Sequence, residues 1–277
     1  MFDPIYRLFG AILNFFYTSF GNYGYAIIGF TFAVNIILLP LTWKQQKSTT
    51  KMQAIQPELN KIQEKYKNDK EKLNTEMMKL YQDNNINPLG GCLPLLIQLP
   101  IIFILYRIVY SPVTHMLGYT AEQLAELSAK HPEITGAMSE VALAAKEGLI
   151  EFNFFGMDLS AIPNIGQPGL LWLIPIFAGL TTYGLSWLTT HQANAKKTEE
   201  QKKREQDNPT ANQMQTMTKI MPLMTVAFAF TFAAGIGFYW IMNNIFKMIQ
   251  QIVVNAMLAK EGPIVVEVAS NKKKKTK

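Results

Sequence analysis

The hydrophobic pattern separates amphipathic stretches from long apolar runs. Within residues 1–22, Ile5, Leu8, Phe9, Ile12, Leu13, Phe16 and Phe20 recur at helical spacing, opposite Arg7, Asn14 and Thr18. That predicts an amphipathic helix, either packed on the rest of the fold or lying in a membrane interface. Residues 23–43 form the first uniformly apolar run, edged by Tyr23 and Tyr25 at one end and Trp43 at the other, with Asn35 its one strongly polar residue. Residues 88–110 form the second, with no charge from Leu89 to Tyr106. About 20 such residues at roughly 1.5 Å each cross a bilayer core of about 30 Å. Pro88, Pro94, Pro100, Gly90 and Gly91 are tolerated there only if neighbouring helices or water re-satisfy the freed backbone groups. A third run, 169–190, carries Pro175 and a polar Thr181-Thr182-Tyr183 patch.

Between Lys219 and Lys260 the only charge is Lys247. A single helix of that length would reach about 60 Å, twice the bilayer core, so two spans at 218–234 and 236–258, joined near Gly235 and Gly237, fit better. The connections read differently. In 44–87, Met52, Ile55, Leu59, Ile62 and Tyr66 alternate three and four apart, Lys67-Asn68-Asp69-Lys70 interrupts, and Leu73, Met77 and Leu80 resume. This predicts a helical hairpin outside the membrane, with Pro57 bending its first arm. In 111–168, residues 121–127 and 138–147 read as short surface helices.

Charge orients these elements. The connections 44–87 and 191–217 and the tail 259–277 are rich in lysine, whereas 111–168 holds seven acidic residues against Lys130 and Lys146. Basic connections stay cytoplasmic. The predicted fold is an all-α integral membrane protein with five transmembrane helices, a cytoplasmic helical hairpin, the N-terminus outside and the C-terminus inside. The composition agrees, with 49% hydrophobic and 17% charged residues over 277 positions. The single Cys92 excludes an internal disulfide framework and reads as a small packed side chain. The start of the chain shows neither a cleavable signal pattern nor a cysteine for lipid attachment.

The sequence holds no paired-histidine metal spacing and no phosphate-binding glycine loop, and no acidic residue falls inside any of the five runs. A metal, a cofactor, a carboxylate proton relay and an enzyme are therefore not expected. The candidate chemistry is polarity inside the apolar runs: Asn35, Gln98, Thr181, Thr182, Asn243, Asn244, Lys247, Gln250 and Gln251. Each amide is either interhelical glue or the wall of a polar groove. Lys247 sits about ten residues from either end of its span, where a charge costs at least roughly 2.5–3.5 kcal/mol and needs a partner or water. It faces a hydrated cavity, or it snorkels along its stem.

Several motifs in one order resemble a known family. Residues 87–101, Asn-Pro-Leu-Gly-Gly-Cys-Leu-Pro-Leu-Leu-Ile-Gln-Leu-Pro-Ile, resemble the second-span signature of the YidC/Oxa/Alb insertases. Residues 38–45 (Leu-Leu-Pro-Leu-Thr-Trp-Lys-Gln), 53–58 (Gln-Ala-Ile-Gln-Pro-Glu) and Phe238-Tyr239-Trp240 resemble that family's other motifs, and the likeness runs over residues 21–257. It implies a membrane protein insertase and chaperone of a Gram-positive-like bacterial plasma membrane. Its five-span bundle would enclose a hydrophilic groove, open to the cytoplasm and to lipid and closed outside. The implied groove residues are Asn35, Gln98, Thr181, Thr182, Trp240, Asn243, Asn244, Lys247 and Gln251. The implied partners are nascent membrane proteins, the Sec translocon, the ribosome through the basic tail and hairpin, and anionic lipids, with no DNA. Family members carry an arginine five residues before the proline of the first span, where this chain has Asn35. The large N-terminal periplasmic domain of Gram-negative members is not expected. The rival readings are a small membrane transporter or channel, and a scaffold acting only through the cytoplasmic hairpin.

Overall fold

The computed structural model describes residues 3–87, 93–194 and 220–260. Pro88, Cys92, most of the connection 191–217 and the lysine-rich tail lie outside the described residues. The chain forms two compact units, one of Met1–Ile37, Ile97–Leu185 and Met221–Lys247, the other of Leu38–Leu96, Ser186–Ile220 and Met248–Lys277.

The first unit opens with α1, Asp3–Phe20, which packs on α2, Tyr23–Ile37, and on the short α6, Pro112–His115. α1 is therefore a helix packed along one side. The Phe9 and Phe30 rings meet edge-on at 6.0 Å, and Phe16 lies against Gly29. The expected apolar face is split: Leu13 is buried, while Ile5, Leu8 and Phe20 stay exposed with Phe15. The packed side is turned toward Gly10, where α1 meets the His115 carbonyl, and Tyr17, whose hydroxyl accepts the Glu151 N–H over 2.9 Å. On α2 the buried side is Tyr23, Ala26, Ile27, Phe30, Thr31 and Val34, and Phe32 and Ile36 are exposed.

The segment after α5, Leu93–Tyr110, carries the expected short helices as α7, Ala121–Lys130, and α8, Ser139–Lys146. A capping box starts α7: Thr120 accepts from the Gln123 N–H and Gln123 from the Thr120 N–H. Glu140 on α8 accepts the Thr114 N–H over 2.8 Å and its hydroxyl over 3.1 Å, which fixes α6. His131 Nε2 lies 2.5 Å from Glu147, and Lys146 bonds to Glu133. A small antiparallel sheet follows, β1 Asn153–Phe154 with β2 Met157–Asp158, the one departure from an all-helical fold among the described residues. Asn22 and Tyr23 hold it to the start of α2 through the carbonyls of Asn153 and Glu151, at 2.8 and 3.1 Å.

α9, Leu173–Asn194, follows a 3-10 turn at Leu170–Trp172, α10 covers Ile220–Ala229, and α11 covers Ala234–Lys260. The break between α10 and α11 falls at 230–233, ahead of the joint expected near Gly235 and Gly237. These glycines lie in the first turn of α11 and allow close approach. A Cβ on Gly235 would stand 3.2 Å from the Leu159 carbonyl oxygen, and one on Gly237 would strike Ile174.

In the second unit the run expected as one span from Tyr23 to Trp43 has changed helix. α3, Leu39–Lys65, restarts after Leu38 with Pro40 in its first turn, where a missing N–H is tolerated. The N–H groups of Leu41 and Thr42 both turn to the Leu38 carbonyl. α4, Lys70–Asp83, follows the turn 66–69, with Asp69 capping it through the Lys72 N–H. α3 and α4 share a cluster of Ile55, Leu59, Leu80 and Ile86 with Met52, Ile62, Met77 and Tyr81. Of the expected seam, Met52, Ile55, Leu59, Ile62, Met77 and Leu80 fall in this cluster and Tyr66 and Leu73 do not, and Pro57 lies inside a continuous α3.

The chain is mostly helical. Among the described residues one helix, Leu170–Gln192, is long and apolar enough to cross a membrane. A second counts if Tyr23–Ile37 and Leu39–Lys65 are one broken span, and Gln98–Tyr110 and Ile220–Ala229 are shorter apolar helices.

Candidate functional site

α11 gathers the polar groups expected inside the apolar runs. It starts where the N–H groups of Ala234 and Gly235, free at a helix N-terminus, donate to the carbonyls of Ala161 and Leu159 over 2.8 and 2.7 Å. About three turns further, Asn243 and Asn244 are buried, so both amides need partners.

In the first unit those partners come from two other helices. Asn35 of α2 donates to the Thr31 carbonyl over 2.8 Å and to Asn243 Oδ1 over 3.3 Å. Asn244 Nδ2 donates to the hydroxyls of Thr182 and Thr181 of α9, at 2.9 and 3.2 Å. Both threonines donate in turn to backbone carbonyls one helical turn back, those of Ala178 and Phe177. Their hydroxyls therefore act as acceptors toward Asn244.

One turn beyond Asn243, Lys247 donates from Nζ to Gln98 Oε1 of α5 over 2.6 Å. Gln98 is also hydrogen-bonded to Tyr239, two turns back on α11. The amide relieves part of the cost of placing an ammonium group here, but it brings no negative charge. The site keeps a net positive charge carried by one residue.

Seven of the nine expected groove residues, Asn35, Gln98, Thr181, Thr182, Asn243, Asn244 and Lys247, thus meet along one stretch of α11. Trp240 lines a cavity of about 10 Å³ with Ala178, Thr225, Phe228 and Ile236. That is at the lower limit for one water molecule.

The ninth, Gln251, belongs to the second unit. It accepts from Thr189 at 3.1 Å and donates to Gln192 at 3.0 Å. Asn255 donates to the same Gln192 oxygen, Gln46 donates to Asn255 over 3.2 Å, and Gln250 donates to the Thr42 hydroxyl. Sequence reasoning missed Thr42, Gln46, Thr189, Gln192 and Asn255. The signal for Asn255 was present, because 244, 247, 251 and 255 continue one helical repeat. α3 and α4 of this unit also border an open cleft of about 210 Å³. Glu58, Glu76 and Asp83 face Lys61, Lys65 and Lys79 around it, so it favours neither sign of ligand. Among the described residues no group of histidine, cysteine or carboxylate side chains is placed to hold a metal ion.

A sequence model of the family described as "60Kd inner membrane protein" matches residues 15–261. The chain is similar to the membrane protein insertase YidC of Clostridium perfringens, with 35% identity over 229 residues, covering 82% of this chain and 76% of that protein. It is similar to the insertase YidC 2 of Bacillus anthracis, with 34% identity over 248 residues, 88% of this chain and 76% of the relative. With the insertase YidC of Helicobacter pylori it shares 31% identity over 248 residues, 89% of this chain and 35% of the relative. The chain therefore spans about a third of the length of some relatives, such as that one, and about three quarters of others.

Proposed function

Because the chain belongs to the 60Kd inner membrane protein family, the family of the YidC insertases, we propose that it inserts and folds nascent membrane proteins in the bacterial plasma membrane. On this reading five spans, at 23–43, 88–110, 169–190, 218–234 and 236–258, cross the bilayer with the N-terminus outside and the C-terminus inside. Residues 44–87 are a cytoplasmic helical hairpin. With the basic tail, it is the surface for the ribosome; the tail also meets anionic lipid, and the Sec translocon is a further partner.

The observation that carries the reading is the convergence of Asn35, Gln98, Thr181 and Thr182 on Asn243, Asn244 and Lys247 of α11. Polar groups from α2, α5 and α9 meet there among otherwise apolar residues. A wall of this kind shortens the apolar path that a polar substrate segment must cross. Burial of the substrate's own apolar segment then drives release into lipid, with no nucleotide required.

The test is reconstitution. The full chain is incorporated into liposomes, and a single-span protein with a short translocated tail is synthesised outside them. Protease protection of that tail should rise with the amount of chain present. Equal protection in protein-free liposomes overturns the reading.

A further inference from the structure

The turn between β1 and β2 is built against local preference. Phe155 and Gly156 form a two-residue turn with φ of 50° and 80°, a pattern that favours asparagine followed by glycine. A bulky residue rarely adopts positive φ, yet Phe155 does so and is 73% exposed. The conformation is imposed from below. The Phe154 ring is buried against Gly24, edge-on to Tyr25 at 5.2 Å and beside Phe238 at 5.1 Å. Asn153 Oδ1 accepts the Gly156 N–H over 3.0 Å, so the tip carries one polar group fewer to hydrate. With Phe154 locked in, Phe155 is held outward.

The exposed ring is part of a strip. Tyr25 lies 6.5 Å from Phe155 and 6.4 Å from Phe20, ring to ring, and both are exposed. On the other side, Leu170 Cδ2 is 3.4 Å from the position a Cβ would take on Gly156, and Leu170 is exposed too. Leu170 opens the helix long and apolar enough to cross a membrane, and the outward residues Leu173, Ile176, Phe177 and Leu180 continue from it.

We propose that Phe155, with Phe20, Tyr25 and Leu170, forms a membrane anchor that seats the β1–β2 turn in the headgroup–acyl boundary of the adjacent leaflet. The occupant is lipid because the turn lies beside Leu170, the first residue of a candidate span whose outward face is apolar. Aromatic rings at the ends of spans favour that boundary. The consequence is that the acidic segment 111–168 lies along the membrane surface. The proposal rests on the reading of α9 as a span.

Nitroxide labels test both. In a Cys92→Ser background, single cysteines replace Phe155, Phe20, Phe177 as a mid-span reference, and Glu126 as an aqueous reference. The full chain is placed in lipid nanodiscs, and collision rates with oxygen and with a water-soluble nickel chelate are measured. Labels at 155 and 20 should be at least threefold less accessible to nickel than the label at 126, and shallower than the label at 177. Nickel accessibility at 155 and 20 equal to that at 126, with 177 deep, overturns the anchor alone. Nickel access at 177 as well overturns the span, and the anchor with it.

Discussion

Lys247 and Gln98, 149 positions apart in the chain, are joined by a 2.6 Å bond from Nζ to Oε1. One helical turn earlier on α11, Asn243 accepts from Asn35. The position where the resemblance implies arginine therefore holds a neutral amide bonded to α11, and the cation stands on α11 itself. Each polar group inside the apolar runs was expected to serve either as glue or as groove wall. The bonds found are compatible with both, and substitutions separate the two.

If Lys247 supplies the charge of the groove, Lys247→Met should slow insertion of substrates with acidic translocated tails and spare neutral ones. A pair of charges 4 Å apart interacts by about 1 kcal/mol in water and about 4 kcal/mol near a protein surface, so the loss should be at least about fivefold. Asn35→Arg combined with Lys247→Met should restore the rate, because residue 35 reaches α11 only one turn away. Protease protection of acidic-tailed and neutral-tailed substrates in proteoliposomes measures it. Equal rates for Lys247→Met and the parent chain on the acidic tail would refute the assignment.

The bond from Asn244 to Thr182, at 2.9 Å, joins two buried side chains of α11 and α9. Interhelical bonds of this kind average about 0.6 kcal/mol in membrane proteins and reach about 1.7. A double-mutant cycle of Asn244→Leu with Thr182→Val, read by unfolding in mixed detergent, should give a coupling in that range. A coupling of zero would mean that the two side chains act independently.

Helices with one repeating apolar face were legible in the sequence. The α3–α4 seam follows from three- and four-residue spacing, and α7 and α8 from the short stretches 121–127 and 138–147. The restart at Leu38 was signalled by Pro40, but a long apolar run also reads as one helix, and the run dominated the reading. The β1–β2 turn was not legible, because its strands are two residues long and Phe155 opposes the turn preference. The partners of the site were invisible for a different reason. Lys247–Gln98, Asn35–Asn243 and Asn244–Thr182 join residues far apart in the chain, so no local pattern encodes them. Sequence could name the polar residues, but not how they pair.

Gly10 is expected to be intolerant of any side chain. A Cβ there would overlap the backbone carbonyl of His115, which has no flexible end to move aside. Gly10→Ala should loosen α1 from α6 and cost about 1–3 kcal/mol, the range for overpacked sites. Proteolysis within residues 3–20 should accelerate and thermal unfolding should shift downward. Ala11→Gly, an exposed position one residue on, serves as the control for helix propensity. An unchanged proteolysis rate for Gly10→Ala would show that the two helices can separate without loss.

Acidification should loosen α1 first and residues 131–147 second. His115 is held below the ordinary histidine range, first by burial, which outweighs the opposing pull of Glu140 and Asp3; Arg107 and Arg7 add to the lowering. Its ring stacks at a tilt on Tyr6 of α1, 5.4 Å away. A histidine with a depressed folded value contributes stability above its unfolded value, about 6.5, and that contribution fades as pH falls below it. Glu133 is held below the carboxylate range first by its bond to Lys146, and Glu147 first by its bond to His131. Their contribution is complete above about pH 4.3 and is lost only as pH falls through their depressed values. Hydrogen exchange should therefore speed up in α1 as pH falls below about 6.5, while residues 131–147 hold until pH falls below about 4.3. His115→Gln should abolish the first stage and leave the second; Glu147→Gln should weaken the second and leave the first. Simultaneous opening of both regions near pH 6 would contradict this order.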